Sequence, residues 1–225
     1  MSGSLPSTVT NVVSPLRWYE RLKRWWMLYH LGDQRYRFIY DDPPPDEWVS
    51  VDCETTGLVV GKDEIISIGA VRIKGDRVMT SERLELLVKP SKGVSADSVR
   101  VHRLRELDVA NGLDPDEAIR QFLTFVGGRP LVGYYLEFDV AMLNRVMWPI
   151  FGVFLPQPKI EVSKMYYGYK DRQRPAHERG GEIDLRFDTL MTELGLPRRD
   201  AHDAVNDAVM AALAFIKLRH LLGQT

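Results

Sequence analysis

The chain has 225 residues, of which 44% are hydrophobic and 27% charged, and its formal net charge is -1. This composition is that of a folded globular protein and excludes extensive disorder. The near-zero charge argues against a protein that coats long duplex DNA, because phosphate neutralisation needs many basic residues. With one cysteine, no apolar signal core and no run of about 20 apolar residues, the sequence predicts a cytoplasmic protein without a membrane span.

Residues 1–45 are predicted to form an extension that ends in a proline-rich linker. Residues 16–31 carry apolar side chains at a helical spacing, namely Tyr19, Leu22, Trp26 and Tyr29. This spacing predicts an amphipathic helix, and the run DDPPPDE at 41–47 breaks any helix that reaches it. We favour a tether in which Trp25 or Trp26 folds back onto the main domain. A homodimer contact and an anionic membrane contact remain open, although a helix of about four turns is a poor membrane binder.

Residues 46–225 are predicted to fold as one α/β domain. Three apolar segments with short turns come first, and this order indicates an antiparallel meander of strands at 48–53, 64–73 and 78–88. A further strand is expected at 129–133, and helices are expected at 115–126, 136–147, 184–194 and 203–222. A polar loop is expected at 168–183. Strands followed by alternating helices and strands predict an α/β domain with a mixed sheet.

Two carboxylates, Asp52 and Glu54, flank Cys53 on the first predicted strand. Successive side chains alternate along a strand, so both carboxylates point to one face, about 6.5 Å apart. Two acids on an apolar strand repel each other and lose hydration, and a divalent cation removes both penalties. A solvated edge strand explains a lone Asp-x-Glu equally well. The polar turn at 55–57 follows at once, however, and makes the whole string DCETTG far more specific.

Three further residues with chemical potential lie in separate segments. Asp139 is near the start of a predicted helix, where a carboxylate interacts well with the helix dipole, and this structural role suffices for Asp139 alone. His202 and Asp207 are five residues apart, which on one continuous helix would place them about 140° apart. The two can face one point if His202 lies in the loop before the last helix and Asp203 is the N-cap. Without that context, an exposed loop histidine is the simpler interpretation.

Taken together, these motifs resemble the DnaQ-like exonucleases of the DEDDh type, a family that includes ribonuclease T and the proofreading subunit of the bacterial replicative polymerase. The resemblance covers about residues 48–220. It rests on four strings: VDCETTGL at 51–58, DEIISIGAV at 63–71, VGYYLEFD at 132–139 and AHDAVNDA at 201–208. It implies a ribonuclease H-like α/β fold, with a mixed five-stranded sheet flanked by helices and preceded here by the N-terminal helical extension.

The resemblance also implies a role for each matching residue. Four catalytic acids would bind two Mg²⁺ or Mn²⁺ ions: Asp52, Glu54, Asp139 and Asp207. His202 would be the general base. The implied activity is 3′–5′ exonucleolytic hydrolysis of single-stranded DNA or RNA ends, with release of nucleoside 5′-monophosphates. Four residues match family positions that contact the terminal nucleotide: Thr55, Thr56, Gly57 and His102. Phe138 is a further substrate contact if it stacks on a base, and packing in the core explains it equally well.

The chain departs from the family at two places. Tyr134 and Tyr135 stand where the family usually has His-Asn, so recognition of the nucleic-acid end is expected to differ. Arg103-Leu104-Arg105 follows His102 where the family often has Gly-Ile-Thr, which brings two arginines to the rim of the expected pocket.

Two alternatives remain. Tyr167 and Asp171 have the spacing of the sister DEDDy group, but they fall in the predicted polar loop, so His202 and Asp207 are preferred. The chain can also be a catalytically weak module that binds nucleic acid or a partner on the same fold. Retention of the four acids and the histidine argues against this second alternative.

Overall fold

The computed structural model describes residues 15–91, 93, 106–198 and 203–223. Helix α1 (Pro15–His30) and a 3₁₀ helix (Gln34–Tyr40) come before the sheet. The five strands are β1 (Glu47–Thr55), β2 (Ile65–Lys74), β3 (Arg77–Leu87), β4 (Leu131–Gly133) and β5 (Lys159–Glu161). The other helices are α2 (Glu106–Val109), α3 (Pro115–Val126), α4 (Leu136–Phe151), α5 (Val162–Arg172), the 3₁₀ helix Ala176–Glu178, α6 (Phe187–Glu193) and α7 (Ala204–Leu221).

The strands form one mixed sheet in the order β3-β2-β1-β4-β5. Strands β1, β2 and β3 are antiparallel neighbours, whereas β4 pairs in parallel with both β1 and β5. In the antiparallel meander a two-residue turn joins β2 to β3, and the nine residues 56–64 join β1 to β2. The predicted α/β fold with a mixed five-stranded sheet is therefore confirmed.

Helices cover both faces of the sheet, so the core has two halves. Side chains of β2 alternate between them: Ile68 and Ala70 face the half that α3 and α4 cover, and Val71 and Ile73 face the half under α7. Helix α7 contacts β1, β2, β3 and β4. Its small side chains permit this close packing, because Ala208, Ala211, Ala212 and Ala214 are all buried.

The segment after α4 differs from the sequence-based prediction. Strand β5 and helix α5 were not expected, and the polar loop predicted at 168–183 begins only after α5 ends at Arg172. Glu161 starts α5, because its side chain accepts a hydrogen bond from the backbone N–H of Ser163. Tyr166, whose ring is fully buried, then attaches α5 to the core. The next predicted helix, 184–194, begins three residues later than expected, at Phe187.

The extension packs on the domain, but not through its tryptophans. Trp25 is 61% exposed and Trp26 53%, so the predicted tether through either residue is wrong. Leu31 and Ile39 are instead buried in the same apolar cluster as the sheet. Among the described residues, no helix is long and apolar enough to cross a bilayer.

Candidate active site

Three of the four predicted acids meet at one point. Asp52 and Glu54 lie on β1, and Asp207 lies in the first turn of α7. Each of the three offers a carboxylate oxygen, and these oxygens lie within 4.8 Å of one another. The alternation of side chains along β1 thus places Asp52 and Glu54 on the same face, as the sequence predicts.

A glycine on β2 allows α7 to bring Asp207 this close. Gly69 is the partner of Asp52 in the β1–β2 pairing. A Cβ atom at Gly69 would lie 2.2 Å from the carbonyl carbon of Ala204, the first residue of α7. Asp203 fixes the start of the helix, since its side chain accepts a hydrogen bond from the backbone N–H of Asn206 at 2.9 Å.

Asp139 joins the site from α4 through the backbone of β1. Its Oδ1 accepts a hydrogen bond from the N–H of Cys53 at 3.0 Å, and the residue is only 5% exposed. The last pairing of β1 with β4 is at Ser50, so this N–H lies beyond the paired stretch. Asp139 therefore lies against the backbone of Cys53, the residue between Asp52 and Glu54, although its oxygens are outside the three-acid group.

Burial and mutual repulsion shift these carboxyl groups towards their protonated forms. Burial, followed by repulsion from Asp139 and Asp207, raises the pKa of Asp52 well above its ordinary value. Burial, with Asp207 and Asp203 nearby, raises the pKa of Glu54 to about 7. Burial also raises the pKa of Asp139 to about 8, against the opposing effect of the Cys53 hydrogen bond. The site thus favours bound protons or a bound cation over four bare negative charges.

The acids open onto a cleft of about 660 Å³ that Asp52 and Asp207 help to line. The segment that includes α6 forms the opposite wall and contributes Arg186, Phe187, Asp188, Thr189, Thr192, Glu193 and Arg198. Tyr134 completes the lining, and its hydroxyl donates to the carbonyl of Leu185 at 2.8 Å. The sequence-based prediction did not identify the two arginines as site residues, because their segment carries no motif.

The threonine turn after β1 is held by its own hydrogen bonds. The hydroxyl of Thr55 donates to the carbonyl of Gly57 at 2.7 Å, and that of Thr56 accepts from the N–H of Glu64 at 3.0 Å. The next residue, Leu58, is 84% exposed.

Among the described residues, neither Phe138 nor the rival pair Tyr167 and Asp171 lines the cleft. His202 and His102 lie outside the described residues. Phe138 is half-buried and packs on the apolar core. The rival pair Tyr167 and Asp171 bonds instead to the loop after α5: Tyr167 donates to the carbonyl of Gly181, and Asp171 accepts from Gly180.

Comparison with known proteins agrees with this geometry. The family model described as Exonuclease matches residues 49–215. The DNA polymerase III subunit epsilon-like protein of Rhodobacter capsulatus is 33% identical over 177 residues, 76% of this chain but only 23% of that protein. The DNA polymerase III subunit epsilon of Aquifex aeolicus is 25% identical over 175 residues, 76% of this chain and 79% of that protein.

A solved structure shares the fold. The zinc-bound form of the E. coli exonuclease I–ssDNA complex superposes with a TM-score of 0.66 at 16% identity, over 80% of this chain and 43% of the other. At this identity the likeness supports the architecture alone. The family match covers β2 to β5, most of β1, helix α4 with Asp139 and the part of α7 that carries Asp207. The chain therefore belongs to the exonuclease family, and residues 49–215 form a DnaQ-like exonuclease domain.

Proposed function

We propose that this chain is a divalent-cation-dependent 3′–5′ exonuclease that releases nucleoside 5′-monophosphates from single-stranded DNA or RNA ends. The observation that carries the proposal is the meeting of Asp52, Glu54 and Asp207 at the cleft, with carboxylate oxygens within 4.8 Å of one another. Membership of the exonuclease family supports the reaction class. The ssDNA in the exonuclease I complex supports a single-stranded substrate.

The residues of the site fit two Mg²⁺ or Mn²⁺ ions. Carboxylate oxygens are the ligands that these hard cations prefer. Burial, followed by repulsion from Asp207 and Asp203, raises the pKa of Glu54 to about 7, and a bound cation would offset that repulsion. Asp52, Glu54 and Asp207 would bind the ions, and Asp139 would complete the set from its position beside Cys53. When bound, two such ions supply Lewis-acid stabilisation of the phosphate and a more acidic water.

The chain's own groups supply proton transfer and substrate contacts. His202 would accept a proton from the attacking water as a neutral imidazole. Its neighbour in the chain, Asp203, is close enough to Glu54 to raise the pKa of that carboxyl. Arg186 and Arg198 also line the cleft and would attract phosphates by their charge, with the Arg186 guanidinium held by Asp184 at 2.7 Å.

The polarity and product of the reaction are directly testable. Single-stranded DNA and RNA labelled at either end would be incubated with Mn²⁺, with Mg²⁺ or with EDTA, and the products would be resolved to one nucleotide. We expect 5′-labelled strands to shorten stepwise and 3′-labelled strands to release a labelled mononucleotide at once, only with metal. Asp52→Asn should be inactive, whereas Asp114→Asn, an exposed carboxylate that makes no capping bond, should be unaffected.

The same assay separates the two functional alternatives. A catalytically weak binding module would retain labelled strands in a gel shift but release no mononucleotide at any metal concentration. Release of internal fragments in place of mononucleotides would also contradict the proposal, because it would indicate an endonuclease.

We also propose that the exposed face of α1 pairs with the same face of a second copy. Six of the eleven exposed large apolar side chains of the described residues lie near the end of α1: Leu22, Trp25, Trp26, Tyr29, Trp148 and Phe154. Leu22, Trp25, Trp26 and Tyr29 form the α1 aromatic face. Because this face carries no charge, a twofold axis can bring two copies together without opposing like charges.

A further inference from the structure

Tyr135 adopts a backbone conformation that suits few residues of its size. Its φ of 54° and ψ of 32° are left-handed, and among the described non-glycine residues only Asp46 shares a positive φ. The left-handed region costs a residue with a Cβ atom about 1–2 kcal/mol, and short polar side chains such as Asn and Asp tolerate it best. Asp46 follows this rule and Tyr135 does not.

The fold needs this backbone conformation but not the tyrosine ring. The carboxylate of Glu161 accepts hydrogen bonds from the N–H of Tyr135 at 3.0 Å and from that of Leu136 at 2.8 Å. These bonds fix the start of α4, and hence the position of Asp139 three residues further along. Both are made by backbone groups, so Asn at position 135 would keep them with less strain. The ring is also 60% exposed, so it adds little to the core.

The ring of Tyr135 is the outer member of an aromatic row that begins in the acid cleft. The ring centroid of Tyr134 lies 4.5 Å from that of Phe187 on one side and 4.5 Å from that of Tyr135 on the other. Tyr134 and Phe187 both line the cleft with Asp52 and Asp207. Tyr135 therefore presents an exposed aromatic ring at the rim of the cleft, one ring away from its lining.

We propose that Tyr135 stacks on a base of the single-stranded substrate. The inference rests on the proposed function in that the ligand is a nucleic acid strand that enters the acid cleft. Stacking of a base on an aromatic side chain contributes about 1–3 kcal/mol and tolerates any base. A contribution of this size offsets the strain of the left-handed backbone and explains why a strained tyrosine stands at the rim. Tyr135 is thus a substrate-positioning residue, not a catalytic one.

Two substitutions separate the ring from the backbone. Tyr135→Asn removes the ring and suits the left-handed conformation, whereas Tyr135→Phe keeps the ring. For Tyr135→Asn we expect an equal or higher melting temperature and a KM for single-stranded DNA raised roughly 5- to 100-fold, in line with the stacking contribution. The kcat should stay within a factor of about three, and Tyr135→Phe should behave as wild type. Leu87→Ala, which removes an exposed apolar side chain on β3 that does not line the cleft, is the control.

A series of oligonucleotides, each with a single abasic site at a different one of the last 3′ positions, identifies the stacked base. Wild type should lose affinity at one position, and Tyr135→Asn should show no loss there. A lower melting temperature and kcat with unchanged KM for Tyr135→Asn would overturn the proposal, because the ring would then be structural. So would an unchanged KM in a stable Tyr135→Asn variant.

Equilibrium binding keeps this proposal separate from the proposed function. Fluorescence anisotropy of a labelled strand with the Asp52→Asn variant, with and without Tyr135→Asn, measures affinity without hydrolysis. Weaker binding on loss of the ring supports stacking even if no variant releases mononucleotides, in which case only the exonuclease proposal fails. Unchanged binding, alongside an active wild-type enzyme, overturns stacking and leaves the exonuclease proposal intact.

Discussion

At the scale of single residues, the site is a set of buried carboxyl groups that the fold holds close together. The folded chain raises the pKa of Glu54 to about 7 and of Asp139 to about 8, from ordinary values of 4.5 and 3.8. Both groups therefore bind protons more tightly in the folded than in the unfolded state. Unfolding releases those protons between about pH 4 and pH 8, so a rise in pH through this range favours the unfolded state.

This linkage predicts how stability depends on pH in the absence of metal. In EDTA, the free energy of unfolding should fall as pH rises from about 4.5 to about 8, with little further change from these two groups above that range. Urea unfolding at several pH values measures it. Glu54→Gln should flatten the slope, because it removes one of the two groups. Stability in EDTA that increases steadily over this range would contradict the assigned shifts.

The assignment of His202 as general base and the assignment of Tyr167 predict opposite effects of substitution. If His202 accepts the proton, His202→Ala should lose roughly 10²–10⁴-fold in rate, and wild-type turnover should rise with pH around the imidazole pKa, about 6.5 before perturbation. Tyr167→Phe should be near wild type, because the Tyr167 hydroxyl bonds to the carbonyl of Gly181. Single-turnover rates distinguish the two assignments. An inactive Tyr167→Phe variant together with an active His202→Ala variant would reverse the assignment.

At the scale of elements, the site depends on how closely α7 approaches the sheet. The approach leaves no room for a side chain at Gly69, where a Cβ atom would lie 2.2 Å from the carbonyl carbon of Ala204. This contact is with backbone, which cannot move aside as a flexible side chain does. Asp207 lies one turn into α7, so any shift of that helix moves Asp207 away from Asp52 and Glu54.

Gly69→Ala should therefore weaken both the fold and the site. We expect the free energy of unfolding to fall by about 1–3 kcal/mol, which is typical of an overpacked core. The protein that still folds should lose most of its nuclease activity. Gly61→Ala is the matched control, since nothing lies within 4 Å of its added Cβ atom. Thermal melts and mononucleotide release measure the two effects. Equal melting temperatures for the two variants would show that α7 can shift to accommodate the added Cβ atom.

The N-terminal extension has a buried side that packs on the domain and an exposed side that is proposed to form a dimer. Different variants test the two roles. Deletion of residues 1–45 removes the buried Leu31 and Ile39, and the ion pair of Asp33 with Arg120 at 3.0 Å, so it should lower the melting temperature. Trp25→Glu with Tyr29→Glu alters only exposed side chains. It should leave the melting temperature of the monomer unchanged and convert a dimer to a monomer by light scattering.

Leu221→Glu, at an exposed site on the end of α7, controls for the added charge. A monomeric wild-type protein at micromolar concentration would contradict the dimer proposal and leave the packing role of Leu31 and Ile39 untouched.

At the scale of the whole molecule, bound metal should act as a stabilising ligand of the folded chain. The unfolded chain cannot bring the three acids within 4.8 Å of one another, so a cation binds the folded state preferentially. At about 100 times its Kd, such a ligand adds about 2.7 kcal/mol of stability. For a chain of this size that corresponds to a rise in melting temperature of roughly 5–10 °C. Scanning calorimetry with Mn²⁺ or EDTA measures it, and the Asp52→Asn/Asp207→Asn double variant should show a much smaller rise.

The chain spans less than a quarter of its Rhodobacter relative and most of its Aquifex relative. The family match begins at residue 49, so the extension lies outside the part that the exonuclease family shares. The shared domain therefore occurs in chains of different length.

The sequence alone determined the parts whose signal is local and periodic. The meander β1–β3 and helix α7 follow from long runs of alternating or helically spaced apolar residues. Asp52, Glu54, Asp139 and Asp207 are predicted as site acids because the strings that contain them together resemble one family, and the structure brings Asp52, Glu54 and Asp207 together. The N-cap role predicted for Asp203 is confirmed, since capping depends on a few adjacent residues.

The tertiary structure decided what depends on contacts between distant segments. Strand β5 has three residues, too few to show a period, and exists because it pairs with β4. Glu161 sets the start of α4 from 25 residues further along the chain. The exposure of Trp25 and Trp26 and the left-handed backbone of Tyr135 carry no sequence signal, because packing against other elements decides which side of a helix is covered and how a turn closes.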